Sequence, residues 1–264
     1  MLRRTLLIAL TALPALLLAP ASSGAADGKK GVTETGAPGT AEALADVGAS
    51  WFCNWSADPQ GVRGGEFVPM IWGAGNVNQQ ELDRAKAAGS TLLTFNEPDL
   101  DGQATMPVEQ ALDLWPKLQD TGMRLGAPAV ASGADRAGGW LDRFMRGAAQ
   151  RGYRVDFVPV HWYGADFSPA ATEQLRSYVR AVHERYRKPV WVTEYALTDF
   201  SQGSPRYPSE RQQAEFARSS VSMLDGEPAV ERYAWFTLST EASPTGLYDG
   251  PTPNRTGAAY RDAR

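Results

Sequence analysis

Residues 91–99 read TLLTFNEPD, and this stretch determines how the rest of the sequence is interpreted. Its apolar and β-branched run is typical of a buried strand, and Pro98 prevents the strand from continuing. Glu97 therefore stands at the carboxyl end of a buried strand, where an acidic side chain costs free energy unless it is hydrogen-bonded or functional. Residues 189–197, PVWVTEYAL, repeat the pattern around Glu194.

Similar short runs alternate along the chain with amphipathic stretches of helical periodicity. The predicted strands are Gly31–Thr33, Ser50–Ser56, Glu66–Gly73, Thr91–Pro98, Arg124–Val130, Asp156–Gly164, Pro189–Leu197 and Glu231–Ser239. The predicted helices are Thr40–Val47, Asn78–Ala88, Pro107–Thr121, Gly138–Arg151, Pro169–Arg187 and Ser209–Leu224. This alternation predicts an α/β fold, a (β/α)₈ TIM barrel. A doubly wound sheet is the alternative, but no Gly-rich phosphate loop follows an early strand.

The first residues have the pattern of an export signal. Arg3 and Arg4 precede an apolar run, Leu6–Leu18, and small residues follow it. We therefore expect residues 1–26 to be a signal peptide, residues 27–264 to be a single catalytic domain, and the protein to be secreted. An uncleaved membrane anchor is the alternative, but the apolar run is short for a membrane-spanning helix.

The charge and composition of the chain limit the kinds of molecule that it is expected to bind. The formal net charge is −4, and no basic stripe is present, which argues against nucleic acid or an anionic membrane as partner. The single cysteine allows no internal disulfide, and the two histidines disfavour a metal site. Eight Trp and nine Tyr residues suit sugar stacking, although most such residues in any protein are simply packed.

The two glutamates suggest a reaction. In a barrel the catalytic groups sit at the carboxyl ends of the strands, so Glu97 and Glu194 are expected to face one another across the open end. Glycoside hydrolysis requires such a pair: one carboxylic acid protonates the leaving oxygen, and one carboxylate attacks or directs water. Either residue alone would more often form a structural salt bridge.

A family resemblance makes this interpretation specific. The ordered motifs are WFCNW, FVPMIWG, LLTFNEPD, GAPAV, VHWYG, VWVTEYAL and YAWFTL. Together they resemble glycoside hydrolase family 128 from Lys30 to about Leu247. The resemblance implies a retaining β-1,3-glucanase with Glu97 as acid/base and Glu194 as nucleophile. We also expect a neutral β-glucan as substrate, no cofactor or metal, and a monomer.

Further residues are expected to bind the substrate. Asn96 precedes the acid/base as in the wider clan, and His161 and Tyr163 share one face of their strand. Trp235 ends the last strand, where the wider clan keeps a sugar platform. The complete set of expected substrate-binding residues is Asn54, Trp55, Trp72, Asn96, His161, Tyr163, Tyr195 and Trp235. Trp191, in mid-strand, is interpreted as packing between strands and helices.

Two alternative functions stay open at this point. One is a glucan-binding barrel without catalysis, which would keep the aromatic residues but usually lose one carboxylate. The other is a barrel hydrolase of another β-glucan linkage. Endo- and exo-action are not distinguished, because that depends on whether loops such as Ser201–Pro208 close one end of the groove.

Overall fold

The computed structural model describes residues 28–264. The predicted signal peptide, residues 1–26, lies outside this range. Among the described residues, none of the helices is both long enough and apolar enough to cross a bilayer.

Strands and helices alternate over most of the described chain. The strands are β1 Lys30–Thr33, β2 Trp51–Cys53, β3 Glu66–Phe67, β4 Met70–Ile71, β5 Thr91–Asn96, β6 Arg124–Ala129, β7 Val158–Gly164, β8 Val190–Leu197, β9 Val230–Trp235, β10 Tyr248–Asp249 and β11 Thr252–Pro253. The α-helices are α1 Thr40–Asp46, α2 Gln79–Ala88, α3 Val108–Gln119, α4 Trp140–Gln150, α5 Ala171–Tyr186, α6 Glu210–Gly226 and α7 Arg255–Asp262.

The strands pair in parallel, which confirms the predicted α/β class. One sheet has the order β3-β2-β1-β9-β8-β7, and a second has the order β4-β5-β6. An isolated parallel bridge between Gly126 and Phe157 links β6 to the residue that precedes β7. The short β10–β11 hairpin is antiparallel and stands apart from both sheets.

The predicted strand Glu66–Gly73 is in fact two short strands with different partners. β3 pairs with β2, whereas β4 pairs with β5. Pro69 lies between them, and because proline has no N–H it interrupts the ladder of hydrogen bonds. The C-terminal helix α7 was not predicted from the sequence. It packs against α6 and β11.

Apolar side chains form two buried clusters. The larger one fills the space between strands and helices. The smaller one is built by residues of the strands and of the segments that flank them, namely Trp51, Cys53, Val68, Met70, Leu93, Phe157, Trp191 and Ala234. Trp191 stacks on Phe157 there, with ring centroids 4.3 Å apart. Its interpretation as packing between strands and helices is therefore wrong.

Candidate active site

The end of β5 departs from regular strand geometry where it delivers Glu97. Phe95 and Glu97 have φ of 32° and 45°, in the left-handed region that residues with a side chain rarely adopt. The pairing of β5 with β6 also shifts register before Asn96. Glu97 is held by its own N–H, which donates to the Ala129 carbonyl at 2.7 Å. The irregular backbone therefore positions the side chain of a residue that is only 8% exposed.

Glu194 lies within β8, directly opposite His161 in the register of β7 with β8. The residue is 5% exposed. Both of its oxygens accept hydrogen bonds, Oε1 from Trp55 Nε1 at 2.8 Å and Oε2 from the Tyr163 hydroxyl at 2.6 Å. A carboxylate that accepts two such bonds is fixed in orientation and stabilised in its ionised form.

His161 connects the two glutamates. Its Nδ1 lies 2.8 Å from Glu97 Oε1, and its Nε2 lies 3.5 Å from Glu194 Oε1. One carboxylate oxygen of Glu97, one of Glu194 and one His161 ring nitrogen lie within 4.8 Å of one another. The structure thus brings together the two residues that the sequence pairs as acid/base and nucleophile.

Burial and nearby charges shift the pKa values of Glu194 and His161 in opposite directions. Burial raises the pKa of Glu194 above its ordinary value, and this outweighs the His161 charge and the Tyr163 hydrogen bond, which lower it. For His161 burial lowers the pKa, but the nearby charges of Glu194 and Glu97 outweigh it, so the net pKa is raised. Proximity to the glutamates therefore favours the protonated imidazole, which offsets part of the cost of burying the ionised Glu194.

The same three side chains are also the one group of possible metal ligands found among residues 28–264. Two carboxylates and an imidazole match the donor types that divalent cations use. Here, however, the Glu194 oxygens accept hydrogen bonds from Trp55 and Tyr163, and Glu97 Oε1 contacts His161. An ion bound by these oxygens would have to compete with those contacts.

A cleft of about 1040 Å³ opens over the two carboxylates. Of the expected site residues, it is lined by Trp55, Trp72, Asn96, Glu97, His161, Tyr163 and Glu194. The Asn96 amide nitrogen donates to Gln103 Oε1 at 3.1 Å. Its Oδ1 has no hydrogen-bond partner among the described residues, so it is an acceptor available to a sugar hydroxyl.

Tyr195 does not line the cleft, and its predicted place in the groove is corrected by the structure. The residue is 0% exposed, and its hydroxyl lies beside Ser220 of α6. Successive side chains of a strand point to opposite faces. Because Glu194 points into the cleft, Tyr195 must point toward the helices, so the alternation of β8 already contained this signal.

Trp235 is corrected in the same way. It is 0% exposed, donates from Nε1 to the Thr245 carbonyl at 2.8 Å, and packs against Tyr195. The next residue, Phe236, lines the cleft instead and meets the Trp55 ring edge-on at a centroid distance of 5.8 Å. The expected aromatic position at the end of the last strand is thus one residue further along the chain.

Asn54 also lies outside the cleft lining. Its side-chain nitrogen donates to the Asp58 carbonyl at 3.3 Å, and its oxygen accepts from the Ser56 N–H and hydroxyl. The expected contact of Asn54 with substrate is therefore replaced by a turn-forming role next to Trp55. Such local bonds are typical of Asn after a strand.

Most of the remaining lining comes from loops that no sequence pattern singled out. These residues are Thr35, Leu100, Gln103, Ala131, Ser132, Gly133, Asp135, Arg136, Trp162, Tyr178, Phe200, Thr237 and Ala242. All of them lie in or beyond the carboxyl ends of the parallel strands, except Tyr178 of α5. The sequence indicated these residues only through the position of each loop after its strand. It did not indicate which side chains point into the cleft, because side-chain direction in loops has no periodicity.

Comparison of the chain with known proteins identifies its family. Residues 35–260 match the family described as glycosyl hydrolase catalytic core. A subgroup I GH128 endo-β-1,3-glucanase from Amycolatopsis mediterranei, solved with laminaritriose, is 65% identical with a TM-score of 0.89; the match covers 89% of this chain and 99% of that one. A subgroup III curdlan-specific exo-β-1,3-glucanase from Blastomyces gilchristii is 29% identical with a TM-score of 0.73, covering 90% and 100%.

One curated relative is longer. Alkali-sensitive linkage protein 1 of Schizosaccharomyces pombe is 31% identical over 81% of this chain, and the match spans 39% of that relative's length. The catalytic-core match extends over most of the chain, and the 65% identical glucanase is covered almost completely. The chain is a glycoside hydrolase and belongs to glycoside hydrolase family 128.

Proposed function

We propose that the protein is a secreted, retaining endo-β-1,3-glucanase that hydrolyses glucans such as laminarin or curdlan. The observation that carries the proposal is the buried pair Glu97 and Glu194, with one oxygen from each within 4.8 Å. In retaining glycosidases the two carboxyl groups lie about 5–5.5 Å apart, whereas inverting enzymes leave roughly 6.5–9.5 Å for a water molecule. The short separation supports double displacement.

The relatives support the substrate and the cleavage mode. The Amycolatopsis enzyme is described as an endo-β-1,3-glucanase and was solved with laminaritriose and, as a variant, with laminarihexaose. In two further variant structures of that enzyme, different glutamates are replaced by alanine. Those two glutamates are separated in their own chain by the same number of positions as Glu97 and Glu194 in this one.

In the first step a Glu194 oxygen attacks the anomeric carbon, and the glycosidic bond breaks as the new ester bond forms. Glu97 donates its proton to the departing oxygen. Trp55 and Tyr163 each donate a hydrogen bond to a different oxygen of the attacking carboxylate. No side-chain rotation is therefore needed before attack. His161 fixes the orientation of the Glu97 carboxyl through their contact of 2.8 Å.

In the second step water attacks the same carbon and releases Glu194 as a carboxylate. Glu97, now ionised, takes the proton from that water and returns to its starting state. Two displacements at one carbon restore the original anomeric configuration. The product is therefore the β-anomer, and no cofactor or metal takes part in either step.

We further propose that the parallel strands close into a (β/α)₈ barrel. Two features support closure. β3 and β4 are consecutive in the chain yet pair with different sheets, and the Gly126–Phe157 bridge joins the other two sheet edges. Closure would gather the carboxyl ends of all strands around one opening, as TIM-barrel enzymes require.

Export is proposed on the residues that precede the described range. The charged start, the apolar run Leu6–Leu18 and the small residues after it have the order of a signal peptide. We propose that residues 27–264 form one catalytic domain that acts outside the cell as a monomer.

A product time course on linear β-1,3-oligosaccharides, with the anomer followed by NMR, tests the proposal. We expect internal cleavage and β-anomeric products at early times. Release of α-anomer would contradict retention, and glucose as the sole early product would contradict endo-action. Laminarin, lichenan, carboxymethyl cellulose and xylan compared in parallel test the linkage, and binding without reducing-sugar release would indicate a barrel that binds glucan without cutting it.

Azide rescue of two alanine variants separates the roles of the glutamates. With an activated aryl β-glycoside, Glu97→Ala should form its ester intermediate, and azide replacing water should give the β-glycosyl azide. Glu194→Ala should lose at least about 1000-fold in kcat. Azide occupying the place of the missing carboxylate should then give the α-glycosyl azide. Reversed azide anomers would mean that the two roles are exchanged.

A further inference from the structure

A third acidic residue, Glu34, lies at the carboxyl end of a strand and has no role in the mechanism above. It follows β1 directly, and its side chain is 0% exposed. Its Oε2 accepts the Gly36 N–H at 2.5 Å, while its Oε1 has no hydrogen-bond partner among the described residues. A buried carboxyl with a hydrogen bond to only one of its oxygens costs free energy of folding, so its presence requires a reason.

Glu34 lies between the segments that follow β1 and β2. Its backbone N–H donates to the Cys53 carbonyl at 3.0 Å. The Asn54 side chain, in the segment that follows β2, opposes the effect of burial on the pKa of the Glu34 carboxyl. Thr35, the next residue after Glu34, lines the cleft. Glu34 is therefore bonded on both sides, through its carboxyl to Gly36 after β1 and through its backbone N–H to Cys53 at the end of β2.

The second of these loops carries a strained residue that touches the catalytic pair. Trp55 has φ of 61°, in the left-handed region, and its indole N–H donates to Glu194. Such a conformation costs free energy and persists only where the surroundings enforce it. The preceding Asn54, bonded to Ser56 and Asp58, supplies part of that restraint.

We propose that Glu34 is a positioning residue: it joins the segments after β1 and β2 and thereby holds Trp55 in hydrogen-bonding contact with Glu194. This inference rests on the proposed role of Glu194. Burial raises the pKa of Glu34, opposed by the Gly36 N–H and the Asn54 amide. A neutral amide of the same shape should therefore replace the carboxyl well.

The test compares Glu34→Gln, Glu34→Ala and Trp55→Phe by kcat, KM and pH profile on a laminari-oligosaccharide. Glu34→Gln should keep kcat within about threefold of wild type, and Glu34→Ala should lose at least about tenfold. Both Glu34→Ala and Trp55→Phe should move the acidic limb of kcat/KM to higher pH, because the Trp55 hydrogen bond lowers the pKa of Glu194. The double variant Glu34→Ala/Trp55→Phe should be no slower than Trp55→Phe, since both act through one contact.

Glu227→Ala is the matched control. Glu227 is also buried, but it precedes β9 at the opposite end of the strand and pairs with Arg180. The Glu227→Ala variant should have a lower Tm than wild type and an unchanged pH profile of kcat/KM. A wild-type pH profile in Glu34→Ala, or additive losses in the double variant, would overturn the positioning role. An inactive wild-type protein would instead overturn the proposed function.

Discussion

At the residue scale, the site depends on three side chains that each cost free energy to bury alone. Two carboxylates and an imidazole become compatible because His161 contacts both Glu97 and Glu194. Both glutamates were predictable from the sequence, since acidic residues at the ends of apolar strands are rare without a purpose. The contact of His161 with both was not, because it depends on a register shift between β7 and β8 just before His161.

Tyr163→Phe should shift the pH profile. The Tyr163 hydroxyl donates to Glu194 and lowers the pKa of that carboxyl against the raising effect of burial. Removing the donor raises the pKa further, so the ionised nucleophile appears only at higher pH. A hydrogen bond to a charged group is worth about 1.5–3 kcal/mol, so the acidic limb of kcat/KM should rise by about one to two pH units.

Tyr178→Phe is the control for this measurement. Tyr178 also lines the cleft, but its hydroxyl accepts the Ala134 N–H and does not contact Glu194. Its profile should match wild type, with the acidic limb above the ordinary glutamate value of 4.5 in both proteins. An unshifted limb in Tyr163→Phe would mean that Glu194 is not the group that limits activity at low pH.

At the element scale, the loop after β8 forms an aromatic wall of the cleft. Asp199 and Arg206 exchange two backbone hydrogen bonds of 2.9 Å and form an ion pair, which closes the loop into a hairpin. Hydrogen bonds from Ser201 and then Arg206 lower the pKa of Asp199 to about 2, so the pair stays charged at any working pH. The hairpin presents Phe200, 56% exposed, edge-on to Tyr163.

Phe200→Ala should weaken polymer binding without impairing the chemical step. Loss of an aromatic contact of about 0.5–1.5 kcal/mol predicts a KM for laminarin raised about two- to tenfold, with kcat nearly unchanged. Arg206→Ala should change KM in the same direction by loosening the hairpin. Arg211→Ala, which breaks an exposed pair with Glu215 on α6, is the control. An unchanged KM in Phe200→Ala would exclude Phe200 from the substrate site.

At the scale of the whole molecule, the strands are joined by the smaller apolar cluster around Trp191. Its members come from β2, β4, β5, β8 and β9 and from segments next to strands. Arg232 lies 4.7 Å from the Trp191 ring centroid, and Arg124 lies 5.8 Å away. Cations over an aromatic face are attracted to it, so these two arginine side chains pack favourably against the Trp191 ring of an otherwise apolar cluster.

Trp191→Ala should lower the free energy of unfolding by about 3–5 kcal/mol, as expected for removing a fully buried tryptophan. Denaturant unfolding measures the loss, and Trp191→Phe should cost clearly less because it refills much of the volume. The folded variant should keep its KM, since Trp191 does not line the cleft. A cost below about 1 kcal/mol would show that the strands are held together elsewhere.

The sequence by itself determined the α/β class, the family and the two glutamates, because strand periodicity, strand ends and ordered motifs are local properties of the chain. Tertiary structure decided which neighbours of those glutamates reach the cleft. Tyr195 and Trp235 face the helices, while Phe236 and Phe200 line the cleft. Side-chain direction at the end of a strand depends on bulges, left-handed residues and loop packing, and these are set by contacts between residues distant in sequence.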